Sequence, residues 1–169
     1  MFDEANTVEA MVLDRMTKLG WTYVHGPSLQ RSMSDVLLES VLVGALVRLN
    51  PEIAAQPERA DEVIYKLRAI IGGVAGGGLV GANEELMSWV CGDKSMPFGP
   101  NGEHVPIKLI DFDPDELKTN TFMVANQVTF KAGPEKRFDI VGFVNGIPLV
   151  LGEAKSPVRK AVTWVDGAA

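Results

Sequence analysis

Residues 137–160 read RFDIVGFVNGIPLVLGEAKSPVRK, and the parsing of this stretch decides the fold. Two apolar runs rich in β-branched residues, 138–144 and 147–151, flank Asn145-Gly146, a strong β-hairpin signal. Polar groups interrupt the runs at Asp139 and again at Glu153 and Lys155. Charges set among buried strands need a partner or a cation, because an unpaired buried charge is costly. Ser156-Pro157 then stops the second strand and opens a helix, with Ser at the N-cap and Pro in the first turn.

Strand parity tests whether these charges can meet. Glu153 and Lys155 are two apart and share a face. A two-residue turn would pair Val144 with Ile147 and Asp139 with Gly152, leaving Asp139 on the opposite face from Glu153. A three-residue loop, 144–146, pairs Phe143 with Ile147 and Asp139 with Leu151, and all three charges then share one face. Gly146 would supply the left-handed residue of a G1 bulge. The expectation is therefore the three-residue loop, or a bulge of equal effect.

Asp139 and Glu153 would then be diagonal neighbours with Cβ atoms roughly 7–8 Å apart. Two carboxylates so placed can share a hard divalent ion, Mg²⁺ or Mn²⁺, with the Ala154 carbonyl as a third oxygen ligand. Lys155 cannot ligate while charged, but it can orient a water or stabilise charge on a phosphate. These parts suit metal-assisted phosphodiester hydrolysis.

Asp139 followed by Glu153-Ala154-Lys155 resembles the PD-(D/E)XK nuclease motif. The surrounding words resemble the nuclease segment of the R subunit of type I restriction enzymes. They are the hairpin itself, IKLIDFD (107–113), NTFMVANQVTF (120–130) and VEAMVLDRMTKLGWTY (8–23). The resemblance covers nearly the whole chain. It implies a restriction-endonuclease-like α/β fold and a DNA endonuclease domain with Asp139, Glu153 and Lys155 as catalytic residues. It also implies double-stranded DNA as substrate, and methylase and specificity subunits as partners. ATP would be used by the full-length enzyme but not bound here, since no Gly-Lys dipeptide, and so no Walker A sequence, occurs. The family carries Pro before the Asp, where this chain has Phe138, and a Gln and a Tyr on the following helix, which residues up to Ala169 do not include. The chain is accordingly expected to be one amino-terminal nuclease domain, residues 1–169, without the translocase domains and with its last helix cut short.

The 169 residues, 46% of them hydrophobic, can bury a sizeable core. The single cysteine, Cys91, excludes a disulfide framework and Cys-based zinc sites. No stretch reaches the ~20 apolar residues of a membrane span, and the acidic start lacks a signal peptide's basic region, so a cytoplasmic protein is expected. The net charge of −6 is unusual for a DNA enzyme and implies weak DNA binding alone. A basic cluster beside the motif, Arg137, Arg159 and Lys160 with Lys131, Lys136 and Lys155, could line a backbone groove. Lys131 and Lys136 fit ordinary solvated surface equally well.

Upstream, Asn6 or Thr7 can cap a helix with apolar residues Val8, Met11, Val12, Met16 and Leu19, ended by Gly20. In many nucleases of the resembled class a first-helix acid assists the metal, and Glu9 is the matching position. Glu9 also fits a capping box with Asn6 or a first-turn acid favoured by the helix dipole. A short edge strand at 21–24, with His25 assigned no role, precedes helices at 34–49 and from 57. Gly76, Gly78 and Gly81 satisfy G-x-G-x-x-G, but an amphipathic helix rather than a strand precedes them, so a flexible connection is expected. Asn83 would cap a helix to Val90. The acidic turn 111–116 could recruit a metal or be plain solvated turn. Strands are expected at 105–110 and at 122–130, the latter containing Gln127.

The hairpin strands are apolar on both faces, which implies helices on both sides. The expected fold is a three-layer α/β sandwich with a mixed central sheet. A helix over 157–169 would pack Val158, Ala161, Val162 and Val165 on that sheet. Beside the endonuclease reading stands a non-catalytic subunit-docking module on the same fold, in which the three charges would be structural ion pairs.

Overall fold

The computed structural model describes residues 4–131 and 134–154. They divide into two compact units, one formed by Met1–Leu38 with Phe122–Ala169 and the other by Glu39–Thr121.

The first unit is built on a mixed four-stranded sheet. Helix α1 (Glu4–Lys18) leads into β1 (Thr22–His25). The helix begins earlier than Asn6 or Thr7, so neither is its cap. It stops where Gly20 takes φ +94° and the Trp21 N–H reaches back to the Met16 carbonyl, a Schellman-like end. The sheet order is β1–β4–β5–β6, with β4 (Phe122–Lys131), β5 (Glu135–Val144) and β6 (Ile147–Gly152). β1 runs parallel to β4; the remaining pairs are antiparallel. Helix α1 packs against β1, β4 and β5.

The hairpin differs from the expected loop. Val144 pairs with Ile147 across a two-residue turn whose central residues, Asn145 and Gly146, have φ +51° and +83°. Two positive φ values make the type I′ turn that Asn-Gly favours, and its twist matches the strands. Parity is corrected further along. Phe143 pairs with Pro148 but Gly142 with Val150, so Leu149 is the extra residue of a bulge. Beyond it Ile140 faces Gly152, where the ladder ends, and the Ala154 N–H then donates to Asp139 Oδ2. Continued past the paired residues, that register has the parity that a bulge of equal effect requires.

Burial follows strand position. Ile140, Val141, Phe143 and Val144 of β5 are buried on both faces, whereas Leu149, Val150 and Leu151 of β6 are exposed. The expectation of two covered faces holds for β5; β6, like β1, is an edge strand of the sheet, and the helix expected beside it lies outside the described residues. The segment 29–38 straps this unit together. The Lys131 N–H donates to the Met33 carbonyl, and the Leu38 N–H donates to Gly146 at the hairpin turn. Arg31 lies over the Phe130 ring, 4.3 Å from its centroid, and donates to the Thr129 and Asp35 carbonyls. Burial lowers its guanidinium pKa, and the charge of Asp35 opposes that.

The second unit is mainly helical: α2 (Glu39–Leu49), α3 (Pro51–Ala55), α4 (Arg59–Gly72), α5 (Val74–Gly77) and α6 (Leu79–Val90). Its core gathers Leu42, Leu46, Ile53, Val63, Leu67, Trp89, Ile107 and Leu109. Helix α2 is shorter than expected, and α6 starts at Leu79 rather than at Asn83. The glycine-rich stretch follows a helix and forms a short helix itself, so it lacks the strand–turn–helix setting of a dinucleotide loop.

The strand expected at 105–110 shrinks to β3 (Val105–Pro106), paired with β2 (Ser95–Met96) in a separate two-stranded sheet. Beyond Pro106, the side chain of Asn50 replaces a ladder: it accepts from the Lys108 N–H and donates to the Lys108 carbonyl. The acidic turn is likewise structural. Asp111 is buried, accepting from Lys108 Nζ at 2.9 Å and from the Asp113 N–H at 3.1 Å, and these bonds hold its pKa below the usual carboxylate range. Among the described residues no helix is long and apolar enough to cross a membrane. The expected helix over 157–169 lies outside the described residues.

Two outcomes are expected. Replacing Asn145 with Ala forces a Cβ residue without a local hydrogen-bonding side chain into the left-handed region, at a loss of roughly 1–2 kcal/mol, measurable by urea unfolding. Asp111 has a folded pKa below its unfolded one, so its contribution is present above the unfolded value of about 3.9 and fades as pH falls through the folded value. Asp111→Asn should be less stable than the wild type near pH 7, and the gap should narrow in acid-denaturation series toward pH 2; a gap that does not depend on pH would refute this.

Candidate metal centre

The site lies in the first unit, where α1 crosses the sheet, and it starts with a break in β4. Asn126 pairs with Ile140 and Val128 with Phe138, but Gln127 and Asp139 between them drop out of the ladder without shifting the register. Gln127 has φ +52°, a left-handed backbone in the middle of a strand. For a residue with a Cβ that costs roughly 1–2 kcal/mol.

The consequence is local and specific. Successive strand residues normally point to opposite faces. Here Asn126 Nδ2 donates to one oxygen of the Glu9 carboxylate at 2.7 Å, and Gln127 Nε2 donates to the other at 2.8 Å. The same Gln127 nitrogen lies 3.4 Å from Asp139 Oδ1, and Asp139 Oδ2 accepts from the Ala154 N–H at 2.8 Å. Glu9 on α1, Asp139 on β5 and the backbone of the Glu-Ala-Lys segment are thus gathered around one amide. Glu9 is buried, which removes the capping-box alternative: Asn6 lies within the helix, and the carboxylate is committed to β4.

A further layer orients Asn126. Its Oδ1 accepts from the Tyr23 hydroxyl at 2.9 Å and lies 3.2 Å from His25 Nδ1. With its oxygen so engaged, its nitrogen must face Glu9. His25, assigned no role from sequence, therefore belongs to the outer part of this network. The signal for Tyr23 and His25 was their two-residue spacing on a strand, which puts both on one face. Gly26 follows, and it has no room for a side chain: a Cβ there would stand 2.1 Å from the Asn126 carbonyl oxygen. The chain after β1 presses directly on the peptide that carries the break.

Among the remaining expected residues, Glu153 is exposed and directly follows the end of β6. Arg137 is exposed at the start of β5, opposite Thr129. Lys155, Arg159 and Lys160 lie outside the described residues. Among the described residues no group of three or more His, Cys, Asp or Glu side chains gathers closely enough to hold a metal. What is present is a carboxylate pair, Glu9 and Asp139, sharing an amide N–H₂ whose positive dipole end stands between them. Carboxylate oxygens are the donors that a hard divalent cation takes, and one or two of them with waters can hold Mg²⁺, so the donor set is of the kind that suits such an ion.

Comparison with known proteins points one way. Residues 1–168 match the family described as type I restriction enzyme R protein N terminus. The chain is 30% identical over 170 residues to the type I restriction enzyme HindI endonuclease subunit of Haemophilus influenzae. It is 28% identical over 167 residues to the putative type I restriction enzyme MjaIXP endonuclease subunit of Methanocaldococcus jannaschii. Each alignment covers 92% of this chain but 15% of the relative, so the chain spans a small part of their length. No solved structure matches the chain significantly.

Gly26→Ala should displace the Asn126–Gln127 peptide. The expected result is a lowered melting temperature together with shifted amide resonances at Asn126 and Gln127; an unchanged spectrum there would show that the contact is dispensable.

Proposed function

This chain belongs to the family of type I restriction enzyme R protein amino-terminal regions, and we propose that it is the metal-dependent nuclease domain of such an enzyme, cutting phosphodiester bonds of unmodified double-stranded DNA. The observation that carries this reading is the convergence of Glu9 and Asp139 on Gln127, with Ala154 of the Glu-Ala-Lys segment bound to Asp139.

In this reading Glu9, Asp139 and Glu153, with the Ala154 carbonyl, hold Mg²⁺ or Mn²⁺. The ion, when bound, supplies Lewis acidity toward a phosphate oxygen and lowers the pKa of water. The protein's own part is positional. Asn126 and Gln127 fix the Glu9 carboxylate through both its oxygens. The Ala154 N–H orients Asp139 and ties the end of β6 to β5. Lys155 is assigned the stabilisation of charge developing on the phosphate, or the orienting of the attacking water. Arg137, Arg159 and Lys160 are assigned to the DNA backbone.

Recognition of the target is assigned to a specificity subunit, modification to a methylase subunit, and ATP-driven translocation to parts of the enzyme beyond this chain. The acidic balance of −6 supports such dependence, since phosphate contacts alone would not retain DNA here. A cytoplasmic location accords with this role. One observation favours a second reading: the exposed apolar residues Leu149, Val150 and Leu151 suit a docking module on the same fold.

Cleavage of unmodified plasmid by the assembled enzyme with Mg²⁺ and ATP separates the two. Asp139→Ala and Lys155→Ala should each reduce cleavage by roughly 100-fold or more while ATP hydrolysis continues. Cleavage retained in both variants would leave the docking reading standing.

A further inference from the structure

We propose that Gln127 is the positioning residue that sets the spacing of Glu9 and Asp139 for a divalent cation, and that its left-handed backbone exists to let it do so. The inference rests on the metal-centre reading above and adds to it a residue outside the Asp…Glu-x-Lys pattern.

Three observations converge. Gln127 is one of only two non-glycine positive-φ residues among those described, and the other, Asn145, is explained by the hairpin turn. No turn explains Gln127: β4 continues on both sides of it in unbroken register with β5. A strained residue inside a continuous strand persists only where its surroundings require it. What it achieves is visible in the hydrogen bonds. The rotated backbone sends the Gln127 side chain to the same carboxylate that Asn126 holds, and its nitrogen also reaches Asp139.

The chemistry of the amide accounts for the choice of residue. Two carboxylates near one another repel and swing apart unless a positive group stands between them. A lysine would neutralise the pair and compete with a cation for it. An amide N–H₂ gives each carboxylate a donor without a net charge, so it keeps the pair at a fixed separation and leaves the site's negative charge for the ion. Gln127 thus acts through Glu9 and Asp139. Partners of this kind around metal ligands typically change affinity 10–100-fold when removed.

The choice of variant separates this role from a purely structural one. Gln127→Gly suits the left-handed backbone and deletes the amide. The test is titration of the chain with Mn²⁺, followed by the electron paramagnetic resonance of the free ion, alongside thermal melts without metal. Gln127→Gly should melt at or above the wild-type temperature and bind Mn²⁺ about tenfold more weakly. Gln127→Asn also tolerates positive φ but is one methylene too short to span the pair, and should bind as weakly. Asp139→Ala should show no saturable site. Wild-type affinity in Gln127→Gly, with binding abolished in Asp139→Ala, would overturn the role of Gln127 and leave the metal centre standing. A melt of Gln127→Gly well below wild type would overturn the claim that the strain is held for the side chain. Absence of Mn²⁺ binding by the wild type, or binding unaffected by Asp139→Ala, would remove the metal-centre reading and this inference with it.

Discussion

Two acids from distant parts of the chain, Glu9 and Asp139, meet at a single amide, and the first unit is shaped around keeping them there. Such a meeting is unfavourable in isolation, because like charges repel and burial deprives them of water. It is sustained by donors on every side: Asn126 and Gln127 on Glu9, Gln127 and the Ala154 N–H on Asp139. Those donors in turn depend on backbone placement. The break at Gln127 rotates one amide into the site, Tyr23 and His25 fix the other, and Gly26 admits the chain that lies against them. Tyr23, His25 and Gly26 bear on the carboxylates without touching them.

Parity is the second constraint, and it explains why the hairpin is irregular. Asn145-Gly146 is almost obliged to form a two-residue turn, since both residues tolerate positive φ and the resulting twist suits the strands. That turn alone puts Asp139 and Glu153 on opposite faces. Read from sequence, the conflict is resolved by a three-residue loop or by a bulge of equal effect. The structure places the bulge at Leu149, in the strand. The turn's local preference is strong, whereas a bulge on an edge strand disturbs only one neighbour, so the irregularity moves to where it costs less. Local chemistry decided the turn type; which residue would bulge depended on the packing of β6 and could not be read from composition.

The same division runs through the remainder. Long periodic or alternating segments were legible: α1, α4, β4 and β5 lie close to where their patterns put them. Residues 105–110 read as a central strand, yet a buried asparagine, Asn50, from 58 residues away takes over the hydrogen bonds of Lys108. Asn83 has the right chemistry for a cap, yet α6 already runs from Leu79. In the site, Asp139 and Glu9 were singled out from sequence, Glu9 by resemblance. Asn126, Tyr23 and His25 were not, since nothing local marks Asn126 as facing a helix more than a hundred residues earlier. Gln127 was visible as a polar residue in an apolar strand, but its positive φ was not, because glutamine carries no signal for it.

The electrostatics of the unit bear on how an acidic chain could handle DNA at all. A net charge of −6 and two converging carboxylates raise the local cation concentration and repel phosphate. On the proposed reading these effects are sequential rather than contradictory. The carboxylate pair would favour a divalent ion, and that ion would cancel the pair's two negative charges and offer a phosphate oxygen a cation to approach. An uncharged amide between the two acids is consistent with that order. A permanent cation there would weaken the attraction for the metal, and a third carboxylate would raise the cost of assembling the empty site. Gln127, neutral and a donor, lies between those extremes.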